Sequence, residues 1–184
     1  ADDFSYACPA TLVSNGNDSG AGSLRQIIAD ACAGSTITFS GAVGAVDLTS
    51  EDLLIAKDLI IDGGLGVTVA RQAASPDFRI FNISSGSTVI LDSLTISNGS
   101  VAGYGAGILS AGNLTLLNSV VSGNSSTAGF SGGGIANEVG TLVVDNTTIS
   151  GNSAAFYGGG IVQYNGGSAT LTRCTLSGNS APFG

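Results

Sequence analysis

Two stretches of this chain say nearly the same thing in succession. "SGGGIANEVGTLVVDNTTISGNSA" runs from Ser131 to Ala154, and "YGGGIVQYNGGSATLTRCTLSGNSA" from Tyr157 to Ala181. The echo extends backwards: "LTLLNSVVSGN" (Leu114 to Asn124) aligns with "LVVDNTTISGN" (Leu142 to Asn152) and "ATLTRCTLSGN" (Ala169 to Asn179). A looser copy is "VILDSLTISNG" (Val89 to Gly99), and "LIIDG" (Leu59 to Gly63) starts another. A self-similarity of about 25 to 30 residues marks a solenoid, propeller or array.

Alternation inside the unit decides among these. Leu142, Val144 and Ile149 fall on one side of an extended chain; Val143, Thr148 and Ser150 fall on the other. Period two is the strand period. Val, Ile, Thr and Leu fill the runs, and Asn, Gly and Ser interrupt them. No helical pattern separates the strands, and a propeller blade needs four strands and usually a longer repeat. The sequence therefore predicts an all-β fold, a right-handed parallel β-helix of about 5.5 coils. The strands "LVV", "TIS" and "GGI" would each stack on their counterparts in the next coil, starting near Thr36. Stacking predicts columns. Asn124, Asn152 and Asn179 share one turn position and can form a ladder of side-chain amides. Leu94, Ser119, Thr147 and Cys174 form an inward column. The glycine column would supply turns with positive φ.

The chain changes character before residue 35. "GSLRQIIADACAG" (Gly22 to Gly34) places Leu24, Ile27, Ile28 and Ala31 on one helical face. Ser23 followed by Gln26 fits a capping box around Arg25, and Gly34 fits a stop. A short amphipathic helix here would cover the open first coil. The expected organisation is a cap of a strand plus the amphipathic helix over residues 1–34 and coils, open at the C-terminal end, over residues 35–184.

These residues carry a resemblance. "NDSGAGSLRQIIADACAGSTITFSG" resembles the N-terminal cap of bacterial secreted β-helix proteins whose signature reads C-S-L-R-E-A. Ser23, Leu24 and Arg25 match; Gly22 stands at the signature Cys, Gln26 at Glu and Ile27 at Ala. The "GGGI" and "ISGNSA" units are similar to repeats in those proteins and in chlamydial polymorphic outer-membrane proteins. The resemblance covers nearly the whole chain. It implies a bacterial, secreted or cell-surface protein of structural or adhesive kind, with no catalytic set to carry over.

Composition narrows the function. The chain has 184 residues, no His, no Met and a net charge of −8. It does not begin with Met, so a processed N-terminus is expected, explained by a removed secretory signal or equally by a trimmed chain. No apolar run is long enough to span a bilayer, and membrane insertion is not expected. From Gly99 onward the charged side chains are Glu138, Asp145 and Arg173 alone. Such a surface offers no basic patch to nucleic acid. In an exported chain Cys8 and Cys32 are expected to bridge across the cap; the alternative is two buried thiols. Cys174 reads as a small core residue or as a thiol for another molecule.

Catalysis is the next question, because many β-helices cleave polysaccharides. Lyases on acidic sugars need basic residues, and this chain has only Lys57, Arg25, Arg71, Arg79 and Arg173. Hydrolases need carboxylates about 5 to 9.5 Å apart. Asp62, Asp92 and Asp145 share the position after the first strand, with Asp62 and Asp92 in adjacent coils about 4.8 Å apart. Aspartates there more often serve turns. No Ser-His pair, phosphate loop or zinc spacing is present, so no cofactor is expected; stacked Asp, Asn and carbonyl turns leave a structural calcium as a secondary reading. Outward Thr95 to Ser97, with "VVS", "TIS" and "TLS" (Thr175 to Ser177), offers an ice-binding ladder as an alternative to the enzyme and structural readings.

The final copy stops after "TLSGNSAPFG" with no third strand. The expectation is self-association there, through Leu176, Ser177, Gly178, Asn179, Pro182 and Phe183; the alternative is that the natural chain continues into further coils. The strand for self-association would come from another molecule's Thr11, Leu12, Val13 and Ser14, building a filament. A neutral glycan or surface partner is the other expected contact.

Overall fold

The computed structural model describes residues 8, 9 and 11–183. It is an all-β right-handed parallel solenoid of about six turns with one short helix. The first residues of the expected cap, 1–7 and 10, lie outside the described residues, as does Gly184.

Every named strand pairing is parallel, each strand meeting its counterpart one coil away. The first face runs from Leu12–Val13 through Ser35–Phe39 and the opening halves of Leu59–Arg71 and Thr88–Ser97 to Asn113–Leu117, Thr141–Asp145 and Ser168–Thr172. The second face holds Ala45–Leu48, the closing halves of the two long strands, Val120–Ser122, Thr148–Ser150 and Thr175–Ser177. The third stacks Leu53–Ile55, Phe81–Ile83, Ile108–Ser110, Ile135–Asn137 and Ile161–Gln163. The coil is not quite the expected three strands. A fourth, two-residue strand joins the second and third faces at Ser100–Val101, Ser125–Ser126 and Ser153–Ala154.

Inward columns make the core. Leu59, Val89, Leu114 and Leu142 stack on one line, Ile61, Leu91, Leu116 and Val144 on the next, and Val69, Ile96, Val121 and Ile149 on the second face, all at most 1% exposed. Burying each such side chain contributes about 1.5–3 kcal/mol. Their outward neighbours stay in contact with solvent, as Val143 does at 40% exposure. Leu94, Ser119 and Thr147 are buried and Cys174 is partly buried. The hydroxyls in this column do specific work. Each bends back to a carbonyl two residues earlier, Ser119 to Leu117 and Thr147 to Asp145. Each also accepts an N–H from the coil before, from Leu94 and Ser119 respectively.

The helix is Leu24–Asp30, with Ser23 at its N-cap accepting from the Gln26 N–H. The rest of the expected box differs: the Gln26 side chain donates forward to Asp30, and the Ser23 N–H goes to Gly20 O. The helix ends at Ala31, and Gly34, at φ +81°, belongs to the turn into the first full coil. Leu24, Ile27, Ile28 and Ala31 are buried against the core. Cys8 and Cys32 form a disulfide.

The glycine blocks differ from the expectation in their reason. Only the first glycine of each block has positive φ, Gly105, Gly132 and Gly158. The following ones are there for close approach. A Cβ on Gly133 would stand 2.2 Å from Ser153 O, and one on Gly159 2.2 Å from Ser180 O.

Candidate functional site

Each sequence-derived candidate has a definite place. Asp62 and Asp92 are register partners on the first face, and Leu117 separates Asp92 from Asp145. All three carboxylates are held by their own chain. Asp62 Oδ1 accepts the Gly64 N–H at 2.8 Å. Asp92 Oδ1 accepts from Ser93 Oγ and Asn118 Nδ2. Asp145 pairs with Arg173.

Asn124, Asn152 and Asn179 form a ladder. The Nδ2 and backbone N–H of Asn124 both donate to Asn152 Oδ1, at 2.9 and 3.0 Å, and those of Asn152 to Asn179 Oδ1 at 3.0 and 3.1 Å. The second Nδ2 proton of each goes down to Ile96, Val121 or Ile149 O. The ladder begins at Asn124 because the coil before it reads Asn98-Gly99, the order Gly-Asn reversed. Asn98 takes the left-handed conformation, φ +62°, that Gly123, Gly151 and Gly178 take elsewhere, and Gly99 can only donate its N–H to Asn124. Sequence reading missed a second amide column. Asn146 Nδ2 donates to Asn118 Oδ1, and Asn118 to Asp92, along the corner between the first two faces. Arg173 continues that left-handed column.

At the C-terminal side, Leu171, Leu176 and Phe183 are exposed, and Ser168–Thr172 and Thr175–Ser177 have no strand beyond them among the described residues. Phe183 packs on Phe156, ring centres 5.2 Å apart. The expected donor arm needs correcting. Thr11 to Ser14 is not unassigned: Leu12–Val13 is the chain's own first strand, in register with Thr38 and Phe39. Thr38 N and Ser40 N donate to Thr11 O and Val13 O, and Val13 is fully buried. A two-residue strand carries too little pattern to show which strand it pairs with.

Arg25 has a structural post. It donates to Asp18 Oδ1 at 2.6 Å and to the carbonyls of Asp18, Glu51 and Asp52, tying helix, cap loop and first coil together. Burial works against the Asp18 charge, but hydrogen bonds from Ser50, Arg25 and Thr49 and the Arg25 charge outweigh it and hold its pKa below the usual value.

The cluster that sequence reading did not assemble lies on the third face. Arg79 precedes the strand Phe81–Ile83. Its guanidinium is 16% exposed, its buried Nε has no hydrogen-bond partner, and Nη1 stands 3.7 Å from Asp52 Oδ2. Burial lowers its pKa, with Asp52 and Tyr164 opposing. Asp52 Oδ2 is held at 3.1 Å by Asn82, an outward residue of that face. Gly103 passes over the guanidinium and brings Tyr104 across, 39% exposed. The Tyr104 ring lies 4.9 Å from Tyr164 and edge-on to Phe130 at 5.1 Å. Burial, then Glu138 and Tyr104, push the Tyr164 hydroxyl up to about 12. Beside Asp52 a cleft of about 370 Å³ continues along Leu54 toward Lys57 and the cap helix. The available signal was the setting of the tyrosines, "GYGAG" and "QYNGG", outside the strand alternation.

Residues 32–183 match the family described as right handed beta helix region. No curated protein and no solved structure matches.

Proposed function

This chain belongs to the right-handed β-helix family, and from that premise we propose that it is a non-enzymatic structural and adhesive module of the cell surface or extracellular space. The observation that carries this reading is the fate of the repeat carboxylates. Asp62, Asp92 and Asp145 are each tied to their own chain by a backbone N–H, an amide or an arginine. Each carboxylate is thus oriented by the fold through one oxygen, as turn and ladder residues are. The disulfide supports an oxidising compartment, and no helix among the described residues is long and apolar enough to cross a membrane.

The deciding experiment incubates the purified chain with neutral and acidic polysaccharides and assays new reducing ends and unsaturated products. The expected outcome is none. Cleavage abolished by Asp62→Asn or Asp92→Asn would overturn the reading. Self-association at the C-terminal edge is part of the proposal. The exposed Leu171, Leu176 and Phe183 support it, as apolar surface that a second copy would cover. Sedimentation of the isolated chain tests it.

One observation favours a second reading. Thr68, Thr95, Val120, Thr148 and Thr175 lie in register on the second face, with Ala70, Ser97, Ser122, Ser150 and Ser177 beside them. Ice shaping by the purified chain, lost on Thr95→Leu and Thr148→Leu, would establish ice binding instead.

A further inference from the structure

We propose that the third face binds a neutral glycan, one pyranose ring lying on Tyr104 and its hydroxyls bridging Arg79 and Asp52. The proposal rests on the adhesive reading and gives it a ligand. It starts from an arginine that the fold has largely buried beside a single carboxylate, its Nε left without a partner. Arg79 is 16% exposed, its Nε has no partner, and the carboxylate facing it is 3.7 Å away, beyond hydrogen-bond reach. Desolvating a guanidinium in this way costs free energy unless a partner restores the bonds.

The shape of the gap selects the partner. A sugar hydroxyl is a donor and an acceptor in one atom. Set beside the Arg79 Nη1–Asp52 Oδ2 pair, its oxygen would take a guanidinium proton while its own proton goes to the carboxylate. Asn82 keeps that carboxylate oriented, and Glu138, bonded to Asn165 at 3.3 Å, offers a further acceptor along the same face. The Tyr164 hydroxyl stays protonated throughout the working pH range and is a donor there. Tyr104 supplies the apolar half. Its ring is steadied by Phe130 and Tyr164 while 39% of the residue remains open. Such a ring matches the C–H face of a pyranose, as aromatic platforms do in sites with a few fixed polar groups. The cleft along Leu54 leaves room for the next sugar.

Charge argues for a neutral ligand. Asp52 and Glu138 offset Arg79 locally, and the chain carries −8 overall. A polyanion would meet repulsion from the whole molecule.

The experiment is calorimetric titration of the intact chain with cello-, manno- and chito-oligosaccharides, with a uronate oligomer and a sulfated oligomer as further arms. Expected is binding of at least one neutral probe that is insensitive to added salt. Tyr104→Ala should weaken it about tenfold, the loss of one stacking contact, and Tyr104→Phe should leave it within about twofold because the ring remains. Arg79→Gln should weaken it as well; Tyr104, at the surface, keeps the test valid if that variant misfolds. No neutral binding, binding unchanged in Tyr104→Ala, or binding confined to anionic probes and removed by salt would each overturn the proposal. Product analysis on the same samples keeps the two questions apart. Cleavage refutes the non-enzymatic reading, whereas absence of both binding and cleavage refutes only the glycan site.

Discussion

The first two coils and the last three close the same cylinder with different chemistry. Around the cap the corners are fastened by charge and by a covalent bond. Arg25 gathers Asp18, Glu51 and Asp52, Lys57 caps the helix end through the Ala29 and Ala31 carbonyls, and Cys8 is bonded to Cys32. Beyond Gly99 the corners are fastened by amides and hydroxyls that hand the same bond from coil to coil. The reason is repetition. A neutral ladder needs an identical partner above and below, which only regular coils supply. At an end, where helix, loop and strand meet once, one arginine with five donors can satisfy several unlike carbonyls.

The contrast can be broken most severely in the repeats. Asn152→Ala would leave the Asn124 backbone N–H and one Asn124 Nδ2 proton without an acceptor in a fully buried site, while Val121 O would keep only its strand bond. At about 1–3 kcal/mol per orphaned group, a loss of about 4 kcal/mol is expected, read from the urea midpoint. A change below about 1 kcal/mol would show that the ladder is not a main support. Next is the covalent fastening. Cys8→Ser with Cys32→Ser should cost about 3 kcal/mol on the chain-entropy account. Hydrogen exchange should localise the loss to the helix Leu24–Asp30 and spare the amides near Asn152.

Charge and amide should also differ with pH. Asp18 has a folded pKa below its unfolded one, so its stabilisation is complete above the unfolded value near 4 and is lost as pH falls through the folded value. Acid should therefore loosen the cap before the repeats. Asp18→Asn should remove that acid limb and cost about 2 kcal/mol at neutral pH, measured by thermal unfolding across the acid range. Smallest is Gly151→Ala. Its φ is +62° and nothing lies within 4 Å of the added Cβ, so only backbone strain remains, about 1 kcal/mol. A larger change would mean that the corner is more crowded than it stands here.

What could be read beforehand follows the same division. Leu142, Val144 and Ile149 announced a buried strand face because alternation is a property of the chain alone. Asn124, Asn152 and Asn179 announced a ladder because they recur after the same triplet. Asn118 and Asn146 did not, since the column keeps its left-handed backbone while its side chain changes to Ser93 before them and Arg173 after them. Arg79, Tyr104 and Tyr164 come from three different coils and from turns of unequal length. Nothing periodic brings them together; only the path of the Gly103 turn does. The cap was legible as a strand plus a helix, but not the partner of Leu12–Val13, whose pairing depends wholly on Thr38 and Phe39 of the same chain.

The Asn ladder also fixes how the molecule would answer a pull along its length. Asn124 and Asn152 are 28 residues apart in the chain and one hydrogen bond apart in space. Stacked, that coil advances the rod by about 4.8 Å; drawn out, it reaches about 95 Å. Each coil is thus a store of some twentyfold its own height, released only when its own set of amide and strand bonds gives way. Tension would draw such a rod out coil by coil, each rupture spending work and slackening the line before the next is loaded.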